Sequence, residues 1–234
     1  MSLKTVFRPC PICNSQQGQV LHHQKFVLPE GHPLAEGYDV VVCPACGMAY
    51  ADTAATQQAY DEFYARLSKY TDNQTATGGG GAPWDEQRLQ DTAATIAEML
   101  PDRQARLVDI GCANGGLLRA LQTLGYTNLC GLDPSPACVA NTTQLPGVQA
   151  MVGSLTHIPP AAGPLDGVIL SHVLEHVRDL QPARRTVAAA MRPQAWLYAE
   201  TPDATRYAEF VFAPFQDFNT EHINHFSVPS LENL

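Results

Sequence analysis

The chain is constrained most by its second half, where short apolar runs alternate with helical patterns from Arg106 onward. Such alternation is typical of βαβ units, whose strands lie parallel in one sheet with helices on its faces. Five strands are predicted, at 106–110, 129–133, 148–152, 165–171 and 195–200. Helices are predicted at 84–100, 116–125, 135–145 and 180–191, with Gly125 ending the second and Ser135 capping the third. The sequence therefore predicts an open α/β sheet.

The loop after the first strand carries three glycines, Gly111, Gly115 and Gly116. A dinucleotide fingerprint needs glycine at 111, 113 and 116, but the middle position is Ala113. Asp109 lies two places before the loop, where an anion suits a cationic ligand better than a pyrophosphate. Small residues at 111 and 113 let the backbone approach a ligand closely. The alternative is an ordinary strand-to-helix turn.

A second acidic residue, Asp133, ends the second strand, 22 residues after Gly111. A carboxylate at this place accepts hydrogen bonds from ribose hydroxyls, although it is also a common turn or helix-capping residue. Ser154 follows the third strand and Ser171 ends the fourth. Because ligands of open α/β sheets bind at the carboxyl ends of the strands, these side chains are candidates for one site.

The layout Asp-x-Gly-x-(Gly/Ala)-x-Gly at Asp109–Gly115, with Asp133 behind it, resembles the S-adenosylmethionine loop of class I methyltransferases. The resemblance implies a Rossmann-like sheet and that cofactor. It implies contacts to the adenine from Ser154 and Leu155, where many relatives have aspartate in place of Ser154. The full set of implied cofactor-binding residues is Asp109, Gly111, Ala113, Asn114, Gly115, Asp133, Pro134, Ser154, Leu155 and Ser171.

His172, Glu175 and His176 follow the fourth strand at spacings that place them on one face of a helical turn. Three interpretations stay open. The group is an acid–base or substrate-orienting cluster, a divalent metal site of two imidazoles and a carboxylate, or an exposed polar turn before the next helix.

Two Cys-x-x-Cys pairs, Cys10 with Cys13 and Cys43 with Cys46, lie near the N-terminus. Four thiolates with this spacing indicate a structural zinc ion, because four cysteines leave no open coordination position. The 29 intervening residues are predicted to form a β-hairpin. A redox-active pair is the alternative, but such pairs usually come singly. The remaining cysteines, Cys112, Cys130 and Cys138, are predicted to be small buried residues.

The tail contains TEHINHFS, in which Glu221 and His222 precede Phe226 and Ser227. A two-knuckle zinc module, a class I methyltransferase domain and this Glu-His pair together resemble the bacterial nucleotide-sugar C-methyltransferases. The resemblance implies that His222 is the base, that Glu221 orients it and that His176 forms a second polar wall. It also implies an aromatic lid of Tyr60, Tyr64 and Tyr70, for which core packing is the alternative.

Two positions depart from that family. Asn219 and His225 stand where the sugar C-methyltransferases usually have tyrosine. These departures bear on the choice of acceptor rather than on methyl transfer. An S-adenosylmethionine-dependent methyltransferase acting on a nucleotide-sugar, glycan or secondary-metabolite precursor is predicted. A quinone-like O-methyltransferase and a non-catalytic cofactor-binding regulator are the alternatives.

The net charge of the chain limits the kinds of partner that it is expected to bind. The chain has 14 Lys and Arg against 23 Asp and Glu, a net charge of −9, which disfavours nucleic acid and therefore RNA methylation. No apolar run is long enough to span a membrane, and no signal segment precedes the first cysteine, so a cytoplasmic protein with a small-molecule substrate and no membrane partner is expected.

The expected organisation is a zinc-binding module at 1–55, a helical linker or lid at 56–104 and a cofactor-binding domain at 105–234. Class I methyltransferase sheets have seven strands, and only five are found, so the C-terminal strands are expected to be missing through truncation. An unpaired edge strand would then favour a homo-oligomer.

Overall fold

A computed structural model describes residues 3–67, 81–209, 213 and 215–234. The chain divides into two compact units. The cysteine unit comprises Met1–Glu62, His172–Gln181 and Thr201–Leu234, and the sheet unit comprises Phe63–Ser171 and Pro182–Glu200. Both units are made of segments that are discontinuous in sequence. The predicted domains are three continuous segments divided at residues 55 and 104, and this division stays a prediction.

The described strands are β1 Leu3–Thr5, β2 Gln17–Lys25, β3 Gly37–Val42, β4 Ala49–Asp52, β5 Leu107–Ile110, β6 Leu129–Asp133, β7 Gln149–Val152, β8 Leu165–Ser171, β9 Met191–Glu200 and β10 Asn224–His225. The described α-helices are α1 Gln57–Arg66, α2 Pro83–Met99, α3 Gly116–Thr123, α4 Pro136–Thr142, α5 Leu180–Ala190 and α6 Val228–Glu232. Short 3-10 helices cover Leu174–His176 and Ala204–Glu209. No helix among the described residues is long and apolar enough to cross a membrane.

The sheet unit is built on five parallel strands in the order β7-β6-β5-β8-β9. Numbered along the chain, this order is 3-2-1-4-5, so the chain reverses direction across the sheet between β5 and β8. This arrangement confirms the predicted α/β Rossmann-like fold and all five predicted strands. The reversal places a crevice at the carboxyl ends of the central strands, where ligands bind in such sheets.

The predicted element boundaries differ from the structure by up to four residues, and the largest difference is at β9, which begins at Met191 rather than at residue 195. Met191 pairs with Leu165, and the regular ladder resumes only where Gly167 pairs with Trp196. The residues between form a bulge with Gln194 at a φ of 65°. A bulge interrupts the period-two pattern, so the start of the strand carries no clear sequence signal.

The core of the sheet unit lies where α2 and α3 pack on the sheet. Leu89, Ala93 and Ile96 project from one face of α2, as the helical periodicity predicts, and Leu118 and Leu121 project from α3. Ile96, Leu118 and Leu121 are fully buried. Burying each such side chain contributes about 1.5–3 kcal/mol, so this face holds α3 and the loop before it against the sheet.

Two predicted helix ends are also confirmed. The Ser135 hydroxyl accepts a hydrogen bond from Cys138 N at 3.4 Å, at the start of α4. Gly125, with a φ of 92°, follows the last turn of α3. These two residues fix the direction of the chain at the helix ends. Ser135 lies two residues after Asp133.

The cysteine unit has its own antiparallel sheet, in the order β1-β2-β3-β4-β10. The hairpin β2–β3 is the predicted excursion between the two cysteine pairs. Strand β10, from the tail, pairs with β4 through Asn224 opposite Tyr50 and His225 opposite Ala49. This pairing was not predicted, because a two-residue strand has no sequence periodicity.

Arg8 joins the separate segments of the cysteine unit. Its guanidinium donates hydrogen bonds to Ile223 O at 2.9 Å, Arg178 O at 2.6 Å and Asn224 Oδ1 at 2.7 Å. The side chain is 1% exposed, and burial, with the charge of Arg178, lowers the pKa of Arg8 to about 10. A buried cation is stable only when its donors are satisfied, so Arg8 requires the tail and the 172–181 segment to be in place.

Candidate active site

The four predicted zinc ligands converge. Cys10 Sγ lies 3.5 Å from Cys46 Sγ, and Cys13 Sγ lies 3.5 Å from Cys43 Sγ. All four sulfurs are within 4.8 Å of one another. Sulfurs bound to one tetrahedral zinc at about 2.3 Å lie about 3.8 Å apart, so the donor set fits that ion.

The two cysteine knuckles have the same backbone hydrogen bonds. Asn14 N donates to Cys10 O and Gly47 N donates to Cys43 O, each at 2.9 Å. Asn14 and Gly47 have left-handed φ values of 60° and 75°. The glycine was expected at this place, and asparagine is one of the few other residues that adopts this conformation readily. The repeated geometry turns both sulfurs of each pair to the same side.

In the sheet unit, the loop between β5 and α3 has an alternating left-handed backbone. Gly111, Ala113 and Gly115 have φ values of 77°, 45° and 78°. A Cβ on Gly115 would lie 2.7 Å from Leu145 Cδ1, so glycine is also required there for packing. Ala113 adopts a conformation that usually requires glycine, which explains why a middle glycine is more common in such loops.

Asp133 is tied to this loop. Its Oδ2 accepts from Ala113 N at 2.9 Å, and its Oδ1 accepts from Ser135 N at 2.8 Å. Asp133 therefore makes the turn contacts expected of a turn or helix-capping residue, which was the alternative to a role in ribose binding. Each carboxylate oxygen can accept a further hydrogen bond, so these contacts orient the group without using up its acceptor capacity.

Asp109 is almost completely buried, at 3% exposure. Burial, followed by the nearby charges of Asp133 and Glu200, raises its pKa to about 8. Arg88 opposes this rise. Because the charges of Asp133 and Glu200 disfavour the ionisation of Asp109, a cation bound beside Asp109 would favour it.

Glu200 and Arg88 were missed by the sequence reasoning. Glu200 ends β9 and accepts hydrogen bonds from Ser171 Oγ, from Thr92 Oγ1 at 3.3 Å and from Tyr198 OH at 2.7 Å. Arg88 Nη1 lies 3.7 Å from Glu200 Oε1. The signal for Glu200 was its place at the carboxyl end of the fifth strand, the same rule that identified Asp133.

The remaining predicted cofactor-binding residues lie near the same strand ends. Several of them make hydrogen bonds to nearby residues. Asn114 is 8% exposed and accepts from Asn141 Nδ2 at 2.8 Å. Ser154 Oγ lies 2.9 Å from Thr156 Oγ1, in a turn closed by Ser154 N and His157 O. Leu155 is buried and Pro134 is half-buried. Their contacts to a cofactor stay predictions.

Histidines and carboxylates also gather in the cysteine unit. Glu175 is fully buried and its Oε1 lies 3.1 Å from His172 Nδ1. Burial alone would raise the pKa of Glu175, but the His172 contact and the charges of His176 and His222 lower it. His172 has a φ of 56° at the residue that follows β8. The strained conformation brings its ring onto Glu175.

His176 has a defined tautomer. Its Nδ1 lies 3.1 Å from the carbonyl oxygen of Glu221 and must donate, because that oxygen can only accept. Burial, opposed by the charge of Glu175, lowers the pKa of His176 to about 4. The ring is therefore neutral near pH 7 and carries its lone pair on Nε2.

His222 packs edge-on against His176, with ring centroids 4.8 Å apart. Ligand atoms of Glu175, His176 and His222 lie within 4.8 Å of one another, so the cluster that assembles includes the tail histidine in place of His172. Asn219 Oδ1 accepts from the backbone N–H groups of Glu221 and His222, both at 2.9 Å. The predicted roles of His222, Glu221 and His176 stay predictions.

The predicted tyrosine lid is only partly described. Tyr60 is 2% exposed, which favours the packing alternative. Tyr64 is half-buried and contacts Phe63 edge-on at 5.1 Å. Tyr70 lies outside the described residues. Cys112, Cys130 and Cys138 are buried free thiols, as predicted.

A family model described as a methyltransferase domain matches residues 84–234. The chain belongs to this methyltransferase-domain family. The matched range includes all ten predicted cofactor-binding residues and the tail, and it begins after the cysteine pairs. The methyltransferase domain predicted from the loop and strand rhythm is thereby confirmed.

Two curated relatives match part of the methyltransferase chain. One is a ubiquinone biosynthesis O-methyltransferase of Methylobacterium nodulans, 33% identical over 112 residues, which are 45% of this chain and 44% of the relative. The other has the same description, comes from Methylobacterium sp. strain 4-46 and is 34% identical over 105 residues, or 42% of this chain and 41% of the relative. The chain thus spans less than half the length of these relatives.

Among solved structures, the chain is similar to one chain of the Haloferax volcanii complex that contains the Trm112 methyltransferase activator. The TM-score is 0.52 at 18% identity, covering 72% of this chain and 70% of the other. At this identity the match supports the fold alone.

Proposed function

We propose that this methyltransferase transfers the methyl group of S-adenosylmethionine to a small-molecule acceptor. The observation that carries the proposal is the buried acid group of the sheet unit. Asp109 and Asp133 lie at the ends of neighbouring strands, and the charge of Glu200 also acts on Asp109. Carboxylates gathered around a narrow backbone loop suit a ligand that is cationic and carries a ribose, and disfavour a pyrophosphate.

The residues present fit S-adenosylmethionine. In this proposal Asp109 pairs with the cationic amino-acid end of the cofactor, and Asp133 accepts from the ribose hydroxyls. The left-handed backbone at Gly111 and Ala113 brings the loop close to the ligand without a long side chain in between. When bound, the cofactor supplies an electrophilic methyl group on a sulfonium.

His222 is the proposed base that removes a proton from the acceptor. His176 is a weaker candidate, because burial lowers its pKa to about 4 and its Nδ1 is committed to the Glu221 carbonyl. A base with so low a pKa provides little driving force near neutral pH. His176 is therefore proposed as a neutral polar wall beside His222.

The structural zinc ion is part of the same proposal. The four converging sulfurs and the matched knuckles fit one tetrahedral ion with no open position. Zinc would stabilise the cysteine unit, and with it the tail that carries His222, rather than take part in chemistry.

The proposed acceptor is a nucleotide-sugar, glycan or secondary-metabolite precursor. The support is the Glu-His pair at residues 221–222 together with the cysteine module. A phenolic or quinol hydroxyl is the second candidate, and the two curated relatives described as ubiquinone biosynthesis O-methyltransferases favour it. Asn219 and His225, in place of tyrosines, also favour the second candidate.

The test is a methyl-transfer assay with the full chain and isotopically labelled S-adenosylmethionine. One panel holds keto-sugar nucleotides and the other holds catechols and reduced quinone precursors. Labelled product in the first panel supports the sugar acceptor, and product in the second panel alone replaces it. Tight cofactor binding with no transfer to either panel contradicts the catalytic proposal and favours a cofactor-binding regulator.

A further inference from the structure

We propose that Asp217, and not Glu221, is the carboxylate that positions His222 as the base. This inference rests on the proposed function. Asp217 Oδ1 lies 3.1 Å from His222 Nδ1, and the exposed fractions of the two side chains are 11% and 17%. The pair is thus largely removed from water, where a carboxylate acts strongly on an imidazole.

The tail holds this pair in a compact turn. Asn219, which lies between the two residues in sequence, fixes the backbone of Glu221 and His222 through its side-chain oxygen. Tyr38 OH donates to Asn219 O at 2.7 Å and so ties the turn to β3. Because both ends of the turn are fixed, His222 Nδ1 is held beside Asp217 Oδ1 and away from solvent.

Two other acidic residues of the cysteine unit, Glu175 and Glu221, lie near His222. Glu175 Oε1 is engaged by His172 Nδ1. Glu221 contributes its backbone carbonyl, which accepts from His176. The contact between Asp217 and His222 has the distance of an ion pair and not the alignment of a hydrogen bond. Such loose geometry is common for catalytic pairs before a substrate binds.

The proton step balances in a simple way. The acceptor O–H or C–H bond would break, its proton moving to His222 Nε2 and its electron pair forming the new bond to the methyl carbon. The bond between that carbon and the sulfonium would break at the same time, and its electron pair would stay on the neutral thioether sulfur of the demethylated product. The imidazolium then carries a positive charge that Asp217 stabilises through Nδ1–H. This is the role of the carboxylate beside the histidine in hydrolase triads, where removing the charge costs about 10⁴-fold in rate.

Several other titratable groups interact with His222. Two of them are neutral histidines, so a carboxylate is needed to stabilise a charge on its ring. His176 is neutral and lies ring to ring with it. His225 interacts electrostatically with His222, and burial lowers the pKa of His225 to about 3, so it too is neutral. Glu175 is an anion, because its contact with His172 helps to lower its pKa despite burial. Asp217 is the carboxylate at ion-pair distance from His222 among the described residues.

The test compares the full-length wild type with Asp217→Asn, Asp217→Glu and Glu221→Gln. Asp217→Asn should lower kcat by about 100-fold or more while KM and cofactor affinity stay within about threefold. Asp217→Glu should recover at least tenfold of the loss, because it restores the charge. Glu221→Gln should lower kcat less than Asp217→Asn does. Asp203→Asn, which removes a tail carboxylate that accepts from Thr205, is the matched control and should leave kcat unchanged.

A second readout needs no turnover. The ¹⁵N chemical shifts of His222 report which ring nitrogen carries the proton, and the wild type should hold it on Nδ1. Asp217→Asn should move the population toward the Nε2–H form. An unchanged tautomer, or a kcat within threefold of the wild type, overturns the role of Asp217. Absence of any methyl transfer by the wild type would instead overturn the proposed function, while the tautomer measurement would still decide the role of Asp217.

Discussion

The sheet unit and the cysteine unit assemble their polar clusters in different ways. In the sheet unit, Asp109 is the penultimate residue of β5, and Asp133 and Glu200 end β6 and β9, so the topology alone brings them to one edge of the parallel sheet. In the cysteine unit, His176 and His222 come from segments far apart in sequence. A buried arginine and a short strand hold those segments in place. The first cluster depends on the fold of one continuous sheet, whereas the second depends on a few long-range contacts.

The largest expected difference between the units follows removal of zinc. Chelation, or Cys43→Ser, should unfold the cysteine unit, because structural zinc sites contribute about 10 kcal/mol or more to folding. Hydrogen exchange should then accelerate at the amides of Val40 and Val41 and stay slow at Val108. Cys130→Ser in the sheet unit is the control and should retain one zinc per chain. Equal protection of both units after metal removal would contradict this account.

Replacing Arg8 should have the next largest effect. Arg8→Met leaves Asn224 Oδ1 and the Ile223 and Arg178 carbonyls without their donor, at a cost of about 3–5 kcal/mol. Chemical denaturation followed by a probe in the cysteine unit measures this loss. Arg206→Met removes an exposed arginine of the same unit and should leave the denaturation midpoint unchanged. Similar losses for the two variants would show that Arg8 does not join the segments.

The same contrast explains what could be predicted from sequence. The strands, the glycine loop, Asp133 and the cysteine knuckles carry local patterns, and each is found within a few residues of its predicted place, with the start of β9 the largest difference. Arg8, Asp217 and β10 carry no local pattern, because their roles depend on partners more than 40 residues away or on a turn set by Asn219. Glu200 was missed although the strand-end rule covered it.

Cofactor binding should be coupled to the release of a proton from Asp109. Its pKa is raised to about 8, so the free protein holds it protonated at pH 6.5, whereas pairing with a cationic ligand requires the carboxylate. Binding of S-adenosylmethionine at pH 6.5 should therefore release about one proton, and affinity should fall about 10-fold or more in Asp109→Asn. Calorimetry in buffers of different ionisation enthalpy measures the proton. Equal proton release by both proteins would rule out Asp109 as its source.

Without a ligand, the same group has the opposite consequence for stability. A raised pKa means that the folded state binds the proton more tightly than the unfolded state, so the contribution of Asp109 is lost as pH rises from its ordinary pKa of 3.8 to about 8. The stability of the wild type should fall across this interval relative to that of Asp109→Asn, and should change little above it. Thermal unfolding of both proteins across this range checks the sign.

The smallest effect is expected at Ala113. Ala113→Gly removes the strain of a left-handed alanine, but it also raises the conformational entropy of the unfolded chain. These effects oppose each other, so the free energy of unfolding should change by less than about 1 kcal/mol. Gly115→Ala, two residues on, should destabilise by about 1–3 kcal/mol, because its Cβ would meet Leu145 Cδ1 at 2.7 Å. Thermal unfolding of the two variants compares the relief of strain at Ala113 with the combined strain and packing cost at Gly115, and equal effects would contradict the assignment.

The most direct test of the central claim is calorimetric titration of the full chain with S-adenosylmethionine, its demethylated product and a nicotinamide dinucleotide. The account predicts one site per chain for the first two ligands and none for the third. It also predicts that Asp133→Ala weakens the first two by about 10-fold or more, since each hydrogen bond from a ligand to a carboxylate contributes about 1.5–3 kcal/mol. Failure of the wild type to bind S-adenosylmethionine, or tighter binding of the dinucleotide, would contradict it.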